Sequence, residues 1–399
     1  MTESNPAALA SAVVWGAFAL TFIFGAVGNK THFCTMGAVS DVVNMGDWNR
    51  MRMWLLAIAV ATAGASALQL AGLVDLSKTI YTAPRFTWLS YILGGLLFGI
   101  GMTLGSGCGS RTLIRIGTGN LKSLVVAIVL ALTAYMTLKG ILGVFRVAAL
   151  DSVGATLAVS QDLPSLIAGT LGFDKRIVLA ALGLAISLGL AAFVFKPREF
   201  RTFDNVLGGV VVGLVVVGGW YLSGHIGHLA EDPATLEEKF LATNSGRMES
   251  LSFVAPQAYF LELLMLWSDK SRVMTFGTAS VLGMVAGSLA WSLASRTFRL
   301  ESFRDAEDLI NHLVGGALMG FGGVLALGCT IGQGISGLST LALGSFLAFF
   351  AIVAGAALTM KIQYWRLMRQ TRALNRRMRA QYVDARSRDI LESRSFPGR

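Results

Sequence analysis

A chain of 399 residues, 54% hydrophobic and 14% charged, carries too few charges to cover a soluble core of its size; soluble domains run at about 25% charged. Several apolar stretches reach 18–23 residues, enough to cross a hydrocarbon layer of about 30 Å, which excludes one large water-soluble domain. The net charge of +10 is concentrated at one end, where residues 361–399 hold 11 Lys or Arg against three Asp or Glu.

The first apolar run, 11–28, precedes the first basic residue, Lys30, so the N-terminus lacks the basic segment of a signal peptide. The sequence predicts spanning helices at 11–28, 53–73, 88–106, 122–144, 177–195, 204–223, 273–294, 309–327 and 341–360. Four stretches between them, 31–46, 108–120, 251–267 and 329–340, are apolar but too short or too broken to span.

Charge orients the chain. With the N-terminus outside and the C-terminus inside, the inner segments and the tail hold 23 Lys or Arg, the outer segments hold nine, and Lys139 lies within a span. An excess of basic residues marks the cytoplasmic side. Segment 224–250, with His225, His228, Glu231, Asp232, Glu237 and Glu238, reads as a solvated outer loop. Basic charge beside the last span suits anionic lipid headgroups rather than nucleic acid. Trp365, Met368, Leu374, Met378 and Tyr382 give the tail a weak apolar face.

The chain contains a repeat. GGLLFGIGMTLGSGC, ending at Cys108, matches GGALMGFGGVLALGC, ending at Cys329, at 8 of 15 positions with an offset of 221. A glycine ladder followed by a matched cysteine points to duplication rather than shared composition. The spans then sort as four, one, four, and the odd connector reverses the second set. The expected fold is an all-α polytopic membrane protein of about nine transmembrane helices plus short re-entrant helices, in two inverted repeats (4+1+4). The divisions are 1–145 (first repeat), 146–203 (external loop, connecting helix and cytoplasmic linker), 204–360 (second, inverted repeat) and 361–399 (basic cytoplasmic tail). Inverted repeats build many transporters, with sites at interrupted helices near the midplane.

The chemistry-bearing segments are Gly107-Cys108-Gly109-Ser110 and Gly328-Cys329-Thr330-Ile331-Gly332. Each follows a glycine-rich span and begins a short segment, read as a re-entrant helix over 108–117 and 329–339. Free N–H groups at such helix starts favour anions, and glycine lets a ligand approach the backbone. Arg111 and Arg115 follow Cys108; the second half has Gly332 and Gln333 in place of that charge. Both arginines also suit the positive inner face alone. Cys34, in GNKTHFCTMG, follows the first span on the inner side and has no partner cysteine in the second half.

Three cysteines, none in a C-x-x-C pair, do not make a disulfide framework. No His or Cys pair has ligand spacing, with His32, His225, His228 and His312 dispersed, so no metal is expected. No cysteine has an adjacent His–acid pair for nucleophilic catalysis, and no phosphate-binding loop is present. What fits is a neutral thiol: a weak donor and acceptor, soft and polarizable, able to bind an anion loosely enough to release it.

At THFCTMGAVSDVVNMGD around Cys34, GGLLFGIGMTLGSGCGSRTL around Cys108 and GGALMGFGGVLALGCTIGQG around Cys329, the chain resembles the YeeE/YedE thiosulfate transporter family, the sulfur-transport domain family. The resemblance implies nine spanning helices, several short ones, and a narrow throat in which Cys34, Cys108 and Cys329 pass thiosulfate inward through a bacterial inner membrane. Gly107, Gly109, Arg111, Gly328, Thr330, Gly332 and Gln333 would line the path. It further implies no cofactor, and a small cytoplasmic sulfur-carrier protein as a partner. One departure is local. Gly-Gly-Cys is expected at the second and third motifs, but this chain has Ser106-Gly107-Cys108 and Leu327-Gly328-Cys329. The rival reading is a membrane-embedded sulfurtransferase or thiol oxidoreductase using the same cysteines.

Overall fold

The computed structural model describes residues 6–232 and 236–394, with side chains placed up to residue 371 and at Met378. It is helical almost throughout. Among the described residues, nine helices are long and apolar enough to cross a membrane. The helices are α1 (Pro6–Lys30), α2 (Thr35–Ser40), α3 (Asn49–Leu70), α4 (Trp88–Leu104), α5 (Gly109–Gly117), α6 (Leu121–Lys139) and α7 (Ile141–Phe145). They continue as α8 (Leu163–Leu171), α9 (Lys175–Phe195), α10 (Phe203–Tyr221), α11 (Ala255–Met265), α12 (Phe276–Ala294), α13 (Ala306–Leu325) and α14 (Leu343–Arg394). Two small antiparallel pairings close the loops. β1 (Arg85–Phe86) pairs with β2 (Ala155–Thr156), and β3 (His228–Leu229) with β4 (Lys239–Phe240).

Helix starts follow local chemistry. Asn120 caps α6 by accepting from the Ser123 N–H at 2.9 Å, and Asp305 caps α13 by accepting from Asp308 at 2.7 Å. Thr275 and Thr278 cap each other's backbone at the start of α12. The fourth span ends at Lys139 rather than near 144, because Gly140 breaks it with an extended backbone (φ −102°, ψ −161°). The stretch expected to hold an outer loop and one connecting helix also contains α8, started by Asp162 and Pro164. Among its described residues segment 224–250 is not simply a solvated loop: β3 pairs with β4, and Met248 is buried.

The chain packs as two units, residues 1–357 and 358–399. In the second unit the helix continues to Arg394, and the Arg369 guanidinium lies 3.5 Å from the Trp365 ring.

In the first unit, small residues carry the packing, as they must where lipid removes the hydrophobic drive between helices. A Cβ built on Gly94 would lie 2.7 Å from the Gly322 carbonyl oxygen, and one on Gly322 2.7 Å from that of Gly94. Gly101 and Gly315 stand in the same reciprocal relation, again at 2.7 Å. Under the 221-residue offset Gly94 corresponds to Gly315 and Gly101 to Gly322, so the α4–α13 crossing is antiparallel and maps onto itself when the repeats are exchanged. That is the signature of a two-fold relation.

The same exchange recurs outward. Gly95 and Gly99 of α4 meet Ala348, Ala351 and Ile352 of α14, whereas Gly316 and Gly320 of α13 meet Val126, Val129 and Leu130 of α6. Likewise α1 packs on α12 and α10 on α3. Each repeat is therefore completed by the other, and neither forms a closed bundle alone.

Candidate functional site

Each cysteine is the capping residue of a short helix. Cys34 precedes α2 in extended backbone (φ −158°, ψ 120°), and its Sγ accepts from the Gly37 N–H at 3.3 Å. Cys108 precedes α5 (φ −80°, ψ 175°); its carbonyl accepts from Thr112, and its Sγ lies 3.3 Å from Ser110 Oγ. Cys329 precedes the helical residues 330–339, which open into a π-helical turn over Gly332–Gly337. Its Sγ accepts from the Gly332 N–H at 3.4 Å. Cys108 and Cys329 are buried, at 1% and 0% exposure, and Cys34 is half-buried. All three thiols are free.

The turn that delivers each paired cysteine is the same turn. Ser106 has φ 57° and Leu327 φ 56°, repeat-equivalent positions in the left-handed region. The glycine expected there would adopt this conformation freely. The departure from Gly-Gly-Cys therefore leaves the geometry intact and adds strain.

The thiols form a chain of electrostatic neighbours. Cys108 lies near enough to both Cys34 and Cys329, and Arg111 and Arg115 near enough to Cys34, for a charge on one to be felt at the other. The two arginines differ in engagement. Arg115 donates to the Ser106 carbonyl at 2.8 Å, tying α5 to the turn before Cys108. Arg111 keeps a buried Nη1 with no hydrogen-bond partner.

The sequence-predicted glycines are places of close approach. A Cβ on Gly107 would press on the Arg111 side chain at 3.3 Å, and one on Gly328 would lie 3.2 Å from the Gln333 nitrogen. A Cβ on Gly109 would lie 2.9 Å from the Phe253 carbonyl oxygen, and one on Gly332 2.7 Å from Ser252 Oγ and 3.3 Å from Tyr81 Oη. Thr330 and Gln333 are fully buried. Gln333 Nε2 donates to the Ala326 carbonyl, while Thr330 Oγ1 and Gln333 Oε1 lack partners. An unpaired buried polar atom costs about 1–3 kcal/mol, so their gathering beside the thiols suits a place that a polar guest visits.

Sequence reasoning missed the segment that joins the two motifs. Residues 251–257, at the start of α11, touch both. Ser336 Oγ donates to the Leu251 carbonyl at 2.7 Å, and Gln257 Nε2 donates to the carbonyls of Phe253 and Gly109. Val254 caps α11 where the repeat places a counterpart of Cys34, so a fourth short helix starts here without a thiol. Arg50 was also missed; its guanidinium crowds Gly37 beside Cys34 and pairs with Asp41 at 3.3 Å. Both were readable only as a broken apolar stretch and a topology charge.

A cavity of about 160 Å³ reaches the third motif at Leu327 and Gly328, walled by Tyr81, Glu249, Ser252 and Tyr259. A second, of about 300 Å³, shares Asn244 and Tyr259 with it and carries Lys139, Glu262 and Arg272. Glu262 is buried between Lys139 at 2.9 Å and Arg272 at 3.3 Å. Among the described residues no group of three His, Cys, Asp or Glu could hold a metal ion.

The thiosulfate transporter TsuA of Escherichia coli K12 is 28% identical over 335 residues, covering 78% of this chain and 84% of its own length. TsuA of Spirochaeta thermophila is 25% identical over 351 residues, covering 86% of this chain and 97% of its own. The family profile described as sulphur transport matches residues 30–358, which include all three cysteine motifs, and the chain belongs to that family.

Proposed function

We propose that this chain takes up thiosulfate, or a similar small sulfur-containing anion, across a bacterial inner membrane by passing it along Cys329, Cys108 and Cys34. The observation that carries this reading is the common placement of the three thiols. Each stands at the start of a short helix, and Cys108 neighbours both of the others. A helix start presents unpaired N–H groups and the positive end of the dipole. A neutral thiol adds one weak donor without a charge that would trap the anion. The names of the two relatives supply the substrate.

The direction follows from charge. With the basic tail inside, the anion enters beside Gly328 and leaves past Cys34, Arg111 and Arg50. The path then runs along Gly107, Gly109 and Gly332, which offer backbone without a side chain, and past Thr330 and Gln333, whose unpartnered oxygens are free to accept a hydrogen bond. A small cytoplasmic sulfur-carrier protein is the partner this reading carries forward from the resemblance.

The test is uptake of radiolabelled thiosulfate into proteoliposomes containing the purified chain. Intact thiosulfate should accumulate in the lumen. Its conversion during entry, with a persulfide on Cys34 or Cys108, would replace transport by sulfur-transfer chemistry.

A further inference from the structure

The cavity before Cys329 contains a carboxyl group with no role in the relay. Glu249 lines the 160 Å³ space together with Tyr81, Tyr259 and Gly328. Its oxygens face the turn before it, where the Ser245 N–H donates to Oε1 at 2.8 Å. Its backbone is anchored separately, with the Glu249 N–H and carbonyl both bonded to Ser223 Oγ. Tyr81 is the electrostatic neighbour that Glu249 and Cys329 share.

No cation among the described residues forms an ion pair with Glu249. Arg146, on the same cavity wall, is paired with Asp151 at 3.2 Å. Arg247, on Glu249's own loop, turns its guanidinium to the Thr79 carbonyl at 3.4 Å. Lys78 and His228 both hold Glu238, and beyond Tyr259 the charges of Lys139 and Arg272 close on Glu262. The remaining titratable groups facing Glu249 are the phenols of Tyr81 and Tyr259.

We propose that Glu249 is a protonation gate on the entry side of the path, excluding a divalent oxyanion when ionised and admitting it when protonated. The proposal rests on thiosulfate uptake through the cavity. An ionised carboxylate beside a largely apolar wall repels a dianion at short range, because little water lies between them to screen the charges. The protonated carboxyl has no charge and one O–H donor, which an oxyanion accepts. Burial raises the Glu249 carboxyl above the usual range, against the hydrogen bonds from Ser245 and Asn244. The admitting form is therefore populated at milder acidity than for an exposed glutamate, and the gate opens as the outer pH falls. The proton comes from outer water and returns there; no bond to the anion is made.

The experiment measures initial uptake of labelled thiosulfate into proteoliposomes of fixed lumenal pH and clamped potential, with the outer pH stepped between about 5 and 8. Thiosulfate remains a dianion throughout. Wild-type uptake should fall as the outer pH rises, approaching about tenfold per unit above the carboxyl's own pKa. Glu249→Gln, neutral at every pH, should hold the acidic wild-type rate to within about twofold across the range. Glu249→Asp should keep a pH-dependent rate, and it decides the matter if the Gln variant does not reach the bilayer. A flat wild-type profile overturns the gate. So does a Glu249→Gln protein that keeps the wild-type profile, or one that is folded yet inactive at every pH. Wild-type protein without uptake at any pH instead removes the transport reading, and the gate with it.

Discussion

The reciprocal glycine contacts between α4 and α13 can be tested by closing them one methyl at a time. In Gly322→Ala the new Cβ would lie 2.6 Å from the Phe98 nitrogen and 2.7 Å from the Gly94 carbonyl; in Gly94→Ala it would lie 2.5 Å from the Ala326 nitrogen and 2.7 Å from the Gly322 carbonyl. These neighbours are backbone atoms, so no side chain can swing aside. To restore ordinary contact the helices must part by roughly 0.8 Å, and a gap of that order forfeits a quarter to a half of each van der Waals well along the crossing. Overpacking of this kind costs about 1–3 kcal/mol.

The two-fold relation adds a sharper expectation. Gly94→Ala and Gly322→Ala act on one contact, so the first separation already makes room for the second methyl, and the double variant should cost clearly less than the sum. Gly94→Ala with Gly101→Ala opens two different contacts on one helix and should come closer to additive. The readout is unfolding free energy in detergent by denaturant titration, with thiosulfate uptake beside it. Uptake should fall in all of these variants, because Cys108 and Cys329 each follow their helix by four residues. Equal, additive costs of a few tenths of a kcal/mol, with uptake unchanged, would refute the reciprocal packing.

Ser106→Gly should raise the unfolding midpoint. A side chain in the left-handed region costs about 1–2 kcal/mol, and the added freedom of glycine in the unfolded chain returns about 0.4–1 of that; Ser106→Ala, which keeps the Cβ, should not stabilise. Cys108→Ser and Cys329→Ser should lose uptake nearly as fully as the Ala variants if the soft sulfur matters, with Cys34 variants less severe; near-normal uptake by the Cys108→Ala, Cys329→Ala double variant would leave these thiols as packing residues. Reporter fusions after residue 371 should report a cytoplasmic tail and fusions within 236–246 an outer loop, and the reverse pattern would invert the direction of transport.

The fold was legible because its largest signals are local. Apolar run length reveals the spans, and the matched glycines reveal the repeat, since in lipid both follow from composition along one segment. The helix ends were less legible. Gly140 stops α6 through backbone conformation, and α8 is started by Asp162 and Pro164 within a stretch that carries no strong periodicity. At the site, the cysteines stood out because the repeat paired two of them. Gln257 and Phe253 did not, because their importance lies in contacts to Gly109 and, through neighbouring residues, to the third motif. Glu249 carried no motif, and only the folded chain shows that it lines a cavity.

A two-fold architecture has no direction of its own, so direction must come from the residues that break the repeat. The offset that superposes Cys108 on Cys329 places Arg111 on Gly332 and Arg115 on Ser336. In the first half, the Arg115 guanidinium secures the turn before Cys108 while Arg111 keeps a donor unpaired near Cys34. In the second half, Ser336 does the securing with a neutral hydroxyl, bonded to the Leu251 carbonyl at 2.7 Å, and Gly332 leaves only backbone beside Cys329. Cys34 adds a third thiol on the arginine side, where Val254 leaves the opposite helix start without one. On the proposed path one end is thus cationic and thiol-rich, and the other is neutral with an acid in its antechamber. On the proposed reading an anion meets attraction that grows toward the arginine end, while neutral thiols between add no charge that would trap it.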